Sequence, residues 1–281
     1  MNRNKLKKLL LNNLLRLLMV LASLVVVLPI LWAIITSFKT NTEFLESPWT
    51  LPASLQWTNY VNAFSKANMG DYFINSIFVT VLSMAVLFVL VIPASYALSR
   101  YRFVGSKAIN LGIMAGLFVS ANYIVVPLFL LLKDLGGLDS LIMLSIVYAA
   151  TNLPFNIYLL SGFMKGIAPD YEDAARIDGC GYCATLFRIM VPMCKPGIVT
   201  IAMFGFMSFW NEYMLAMTLV SSPEKRTLSV GLQNLMQVQK YATDWGAMFA
   251  GLVIVMLPTM IFYVLVQKKL TAGISLGGLK G

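Results

Sequence analysis

Acids crowd into one short stretch of this chain, where Asp170, Glu172, Asp173 and Asp178 fall within nine residues and Cys180-Gly181-Tyr182-Cys183 follows after Gly179. A catalytic reading of these groups fails. The chain has no histidine, and its clustered acids belong to one short helix and not to converging elements. It also lacks a G-x-x-x-x-G-K-[ST] loop, so it cannot cradle nucleotide phosphates itself. A C-x-x-C is redox-active in a βαβ setting and half a zinc site when two more ligands are near. Cys194 is the one remaining thiol, so no metal site is expected and ordinary packing is the reading for Cys180. The chemistry left to the acids is docking. Asp173 and Asp178 are suited to charge-assisted contacts with a partner, and Ala174 and Ala175 to a small flat face that a groove can approach.

The local sequence builds an element for that purpose over residues 169–196. Pro169 suits the start of a helix, because its φ is already helical and its missing N–H would be unpaired there. Asp170, Glu172 and Asp173 then place negative charge at the positive end of the helix dipole. Gly179 ends the helix, since glycine enters the left-handed cap conformation without a Cβ penalty. From Asp173 the chain reads Asp-Ala-Ala, three residues, Gly179, nine residues, Ile189, one residue, Val191-Pro192. This resembles the EAA loop of binding-protein-dependent ABC importer permeases, E-A-A, three residues, G, nine residues, I-x-L-P. Asp173 stands for Glu and Val191 for Leu.

The elements that must carry this loop are membrane spans. Of 281 residues, 59% are hydrophobic and 12% charged, against about 25% charged in soluble domains. A spanning helix needs roughly 20 mostly apolar residues, and six stretches qualify: 14–36, 72–98, 108–132, 140–163, 197–220 and 246–267. The expected fold is therefore all-α, an integral membrane bundle of six transmembrane helices forming a single domain over 1–281. Its short coupling helix lies between the fourth and fifth spans. The basic head and apolar run at the N-terminus are too long for a signal peptide, so Ser37-Phe38-Lys39 reads as the exit of a retained span.

The net charge of +9 reflects topology and not nucleic-acid binding. Fifteen basic residues, among them Arg3, Arg16, Arg100, Arg102, Lys165, Lys195 and Lys268, fall on one side of the six spans, and six fall on the other. The positive-inside rule then places both termini and the 169–196 loop in the cytoplasm. The segment from Lys39 to Asp71, rich in Trp and Tyr, is expected to lie along the outer interface. Its string SFKTNTEFLESPWTLPASLQWTNYVNAF is similar to the corresponding loop of sugar-importer permeases, as is Ala94-Ser95-Tyr96-Ala97-Leu98-Ser99-Arg100-Tyr101-Arg102-Phe103.

Polar groups deep in apolar spans face a bundle interior or an aqueous cavity. Tyr123, Asn152, Asn211 and Glu212 are such groups and are the candidates for a translocation path. Glu212 has two open readings, a structural pairing and a place in a cavity or gate. Pro29, Pro93, Pro127, Pro154 and Pro258 free carbonyls that neighbours must satisfy, and they read as kinks.

The resemblance implies a permease subunit of a carbohydrate ABC importer in the bacterial inner membrane, of the maltose-type second-subunit kind. It implies a homologous second permease, two ATPase subunits that use the ATP, an extracytoplasmic solute-binding protein and a sugar as substrate. No cofactor is expected on this chain. Contacts with the ATPase are expected from Glu172, Asp173, Ala174, Ala175, Asp178 and Gly179. The ending Gly277-Gly278-Leu279-Lys280-Gly281 resembles that of the maltose-type subunit, where it implies a tail reaching the ATPase. A secondary transporter or channel without ATPase partners is the alternative; it would use mid-span acids, of which Glu212 is the candidate.

Overall fold

A computed structural model describes residues 3–66, 68–238 and 244–277, and every regular element among them is helical. Four helices are long and apolar enough to cross a membrane unbroken: Leu11–Thr36, Met69–Arg100, Leu141–Lys165 and Trp245–Gln267. They match the first, second, fourth and sixth expected spans. In full these helices are α1 (Arg3–Thr36), α4 (Met69–Arg100), α7 (Leu141–Lys165) and α14 (Trp245–Gly277), with the short α2 (Asn41–Glu46) and α3 (Thr58–Lys66) between the first two. Pro29, Pro93, Pro154 and Pro258 lie inside these four long helices, which continue through them.

The third and fifth expected spans differ from expectation, since neither is one helix. The 108–132 stretch is divided into α5 (Ser106–Gly116) and α6 (Ala121–Asp134). The division has a local cause: Ser120 takes an extended conformation, and its hydroxyl accepts the Asn122 N–H, starting a new helix with its own N-cap. The 197–220 stretch is divided into α11 (Lys195–Trp210) and α12 (Met214–Leu219). Here a side chain again competes for backbone N–H groups, and the residue responsible is Glu212.

Between α7 and α11 lie α8 (Asp170–Ile177), α9 (Tyr182–Thr185), a π-helical turn Leu186–Met190 and α10 (Val191–Met193). The run Tyr182–Met193 meets Lys195–Trp210 at a bend of 79°. After α12 come a 3₁₀ turn at Pro223–Lys225 and α13 (Leu228–Val238).

The helices group into two compact units, one from Met1–Ala67 with Leu232–Met256, the other from Asn68–Gly231 with Leu257–Gly281. In the second unit α4 and α7 form the core, burying Val79, Leu87 and Val91 with Leu144, Tyr148 and Leu160. Small polar residues let the two backbones approach: Ser95 Oγ donates to Ile157 O at 3.3 Å, and Ser161 Oγ to Ser95 O at 3.5 Å. Helix α11 packs on both of them, and at Gly205 it comes so close that a Cβ would sit 2.9 Å from Met84 Sδ.

In the first unit the segment after α1 is not a loose loop. Lys39 is fully buried, and its Nζ donates to the carbonyls of Ser47 and Pro48, both at 3.0 Å. Thr40 and Glu43 cap α2 reciprocally. Glu43 also accepts the Ala53 N–H at 3.0 Å. Backbone N–H donors from Thr40 and Ala53 hold its carboxyl below the usual range. Trp32, Phe44 and Phe249 cluster around this frame, while Trp49 and Trp57 stay more than half exposed, as side chains at a headgroup level would.

Candidate functional site

Helix α8 is terminated by its glycine as the sequence leads one to expect. Gly179 has φ +78°. Around it the Gly179 N–H donates to Arg176 O at 3.0 Å and the Cys180 N–H to Ala175 O at 2.9 Å. This pair of bonds is a Schellman motif, which satisfies carbonyls that the helix end would leave open. Pro169 precedes the helix at φ −59°, ψ −27°, already in helical conformation.

The side chains of α8 divide into two faces. Glu172 and Ala175, three residues apart, are turned inward at 4% and 3% exposure, whereas Tyr171, Asp173, Ala174, Arg176, Ile177, Asp178 and Gly179 are exposed. Neighbouring residues on a helix point about 100° apart, so Ala174 and Ala175 do not form one flat face. Of the pair, Ala174 alone is open to a partner.

Glu172 is held by the C-terminal end of α4. Its Oε1 lies 2.5 Å from Arg100 Nε, in an ion pair with little exposure on either side. Its Oε2 accepts from the Tyr96 hydroxyl at 3.1 Å, and that hydroxyl lies 2.9 Å from the hydroxyl of Tyr101. Arg100 Nη2 donates to Ile167 O at 2.7 Å, so one guanidinium grips both the approach to α8 and its first turn. Beyond Gly179, Tyr182 packs on Tyr101 with ring centres 4.6 Å apart. The outward pair differs in kind. Arg176 Nη1 meets Asp173 Oδ1 at 2.9 Å, but both side chains are more than half exposed, and such pairs add little stability. Tyr101 keeps the Arg176 guanidinium protonated still more firmly. Cys180, Cys183 and Cys194 are free thiols, and no group of metal-ligating residues occurs among the described residues.

The four path candidates have unequal surroundings. Glu212 is saturated: Oε1 accepts the Leu215 N–H at 2.8 Å, and Oε2 accepts the Ala216 N–H at 3.0 Å and the Tyr148 hydroxyl at 2.6 Å. It therefore caps α12 and pins the helix break to α7. Asn152 is turned back on its own helix, with Nδ2 donating to the backbone oxygen of Tyr148 at 2.9 Å. Asn211, at the end of α11, and Tyr123, near the start of α6, are exposed. A cavity of about 920 Å³ lies elsewhere in this unit, bordered by Asn110, Tyr158, Phe163, Lys165 and Met193; none of the four candidates lines it. Of the expected tail, Gly277 is the last residue of α14, and Gly278, Leu279, Lys280 and Gly281 lie outside the described residues.

Two further arrangements escape sequence reasoning. The Tyr96, Arg100 and Tyr101 seat lies in a string that reads simply as a close-packed helix end. Asp139 clasps a distant turn: its carboxylate accepts the N–H groups of Ser221 and Ser222, the Ser222 hydroxyl at 2.6 Å and Lys225 Nζ at 2.9 Å. The Ser222 hydroxyl and N–H, with Lys225, hold the Asp139 carboxyl far below its ordinary value. Asp139 also takes φ +57°, and the preceding Gly136-Gly137 is the one sequence signal of a tight turn there.

Comparison with known proteins gives a consistent picture. Residues 72–274 match the family described as binding-protein-dependent transport system inner membrane component. The diacetylchitobiose uptake system permease protein NgcG of Streptomyces coelicolor is 35% identical over 260 residues, covering 92% of this chain and 86% of that protein. The inner membrane ABC transporter permease protein YcjP of Escherichia coli is 35% identical, covering 92% of each. The sulfoquinovosyl glycerol transport system permease protein SmoH of Agrobacterium fabrum is 34% identical, covering 90% and 88%. Among solved structures, a chain of a bacterial ABC transporter involved in the import of the acidic polysaccharide alginate superposes with a TM-score of 0.80 at 26% identity. The superposition covers 95% of this chain and 98% of that one.

Proposed function

Because the chain belongs to the binding-protein-dependent transport system inner membrane component family, we propose that it is the permease subunit forming half of the path through which a sugar or glycoside is imported. The observation that carries this reading is α8 itself: a short helix with an acidic first turn and a Schellman stop, standing at the spacing of an EAA loop. Its outward residues Asp173, Ala174, Asp178 and Gly179 are the surface we assign to the ATPase, while Glu172 and Ala175 fasten the helix to its own chain. ATP is bound and hydrolysed by two partner subunits, and this chain is a transport subunit and not an enzyme.

The assembly that follows has a homologous second permease, the two ATPases and an extracytoplasmic binding protein. All sit on a bacterial inner membrane crossed six times by this chain, with both termini in the cytoplasm. The third and fifth crossings are each made by a pair of helices, α5 with α6 and α11 with α12. The relatives named for diacetylchitobiose and sulfoquinovosyl glycerol support a glycosidic cargo. Tyr123, Asn152 and Asn211 offer an aromatic face and amides for it, and Glu212 holds the break at which Asn211 stands. The C-terminal Gly277, Gly278, Leu279, Lys280 and Gly281 reach toward the ATPase pair. Closure of that pair on ATP moves α8 and switches the path from one side to the other.

The test is purification from the native membrane through a tag on this chain. An ATPase and a second permease are expected to co-purify in stable ratio, and a preparation containing neither refutes the reading.

A further inference from the structure

An ATPase that moves α8 must have something to push against, and the chain connections at the two ends of α8 are poor levers. Residues 166–169 and 178–181 contain no helix beyond α8 itself, so motion could dissipate in them. What α8 does have is a rigid attachment elsewhere. The Glu172 carboxylate is met by the Arg100 guanidinium and the Tyr96 hydroxyl, both on the last two turns of α4. The same guanidinium holds Ile167 O, three residues before α8 begins. Tyr182, just past the Gly179 turn, packs on Tyr101, which packs edge-on against Tyr96 at 5.4 Å. Entry, first turn and exit of α8 are thus all seated on one helix end. That helix runs 32 residues without interruption and is pinned to α7 by the Ser95 and Ser161 hydroxyls.

We propose that Tyr96, Arg100 and Glu172 form the joint through which displacement of α8 is delivered to α4, and by α4 to α7, so that these three are positioning residues for transport. A buried ion pair suits this task better than an apolar contact. It has one geometry, and parting the charges leaves each unpaired in a site of low dielectric. The joint also explains why Glu172 differs from its neighbours: it is the acid of α8 that never faces outward. This inference rests on the importer reading given above.

The experiment uses the complex purified through this chain, with Cys180, Cys183 and Cys194 replaced by serine and Asn211→Cys as reporter. The rate at which a membrane-impermeant maleimide labels residue 211 is measured with and without ATP, Mg²⁺ and vanadate. In the parent the rate follows the nucleotide. Two variants are compared: Glu172→Gln, and the double variant Arg100→Met with Glu172→Leu, which leaves no orphan charge and so retains its fold. Both are expected to hold the ATPase while the nucleotide-dependent difference in labelling falls roughly fivefold or more, the lower range of ordinary coupling between sites. The double variant is expected to be the more severe. A double variant that holds the ATPase and still follows the nucleotide overturns the joint. One that loses the ATPase overturns it too, because the cluster would then shape the docking surface instead of relaying its motion. A parent that captures no ATPase, or whose labelling ignores ATP, overturns the importer reading itself and this inference with it.

Discussion

Gly179 gives the sharpest quantitative handle on the docking turn. Its φ is +78°, and a Cβ added there would meet nothing within 4 Å. A side chain is therefore resisted by backbone conformation alone and not by a clash within the chain. The left-handed conformation costs an ordinary L-residue about 1–2 kcal/mol, and each 1.4 kcal/mol is about tenfold in population. Gly179→Ala should therefore lower the equilibrium constant for the Schellman turn roughly fivefold to thirtyfold; where the turn and its alternative are near balance in the free parent, its occupancy falls from about one half to about a sixth or less. Asparagine tolerates this conformation, so Gly179→Asn should be mild. Gly179→Val, β-branched, should be worse than alanine. Gly179→Asp tolerates the backbone but adds a further negative charge beside Asp178, and is expected to abolish uptake by that route. The assay is the amount of ATPase that co-purifies per molecule of this chain at limiting ATPase, beside the chain's abundance in the membrane. Abundance should not change, because residue 179 lies outside every long apolar helix. Alanine and valine variants that capture as much ATPase as the parent would refute the argument that the left-handed turn shapes the docking surface.

Other expectations follow from the same geometry. Single cysteines beside Arg102 and Lys195, in a background without the native thiols, should react with impermeant reagents from the cytoplasmic side alone, and one beside Pro48 from the outside alone; labelling at 195 from outside contradicts the six crossings. The Asp139 carboxyl is depressed by Ser222 and Lys225, so its contribution is complete above the unfolded value of about 3.9 and is lost only as pH falls below that. A spin label at residue 223 should therefore keep its mobility from neutral pH down to about pH 4 and become mobile at all pH in Asp139→Asn. Glu212→Gln keeps the shape but replaces one of two accepting oxygens by an NH2 that cannot accept, so at least one of the three hydrogen bonds to this side chain is lost. It should lower the melting temperature in detergent by an amount reflecting about 1–2 kcal/mol, with Glu212→Ala lower still; unchanged melting in both would mean that the α12 cap is not held by this side chain.

What the sequence made legible was whatever depends on neighbours in the chain. Pro169, the first-turn acids and Gly179 define α8 within a residue of its observed limits, because each acts on backbone groups one to four positions away. Apolar length likewise sufficed for the four continuous spans. The interrupted spans were illegible for a physical reason: hydropathy is a sum over about 20 residues, and it does not register that Ser120 or Glu212 takes N–H groups that a continuous helix would use. Ser120 is of the type whose short side chain competes with the backbone, a signal present in the sequence but outweighed there by the apolar run; Glu212 gives no such signal, because glutamate is an ordinary helix former.

The division of acids on α8 marks the other limit. Asp170, Glu172 and Asp173 are equivalent as first-turn charges for the dipole, and nothing in their spacing ranks them. They are separated by what lies 70 or more positions earlier in the chain, where Tyr96 and Arg100 wait at the end of α4. A carboxylate facing that pair exchanges water for a guanidinium and a hydroxyl, while one facing away keeps its water and remains available to a partner. Glu172 occupies the first position and Asp173 the second. The one-residue offset between them, about 100° around the helix, is what lets a single short helix be fastened on one side and free to dock on the other.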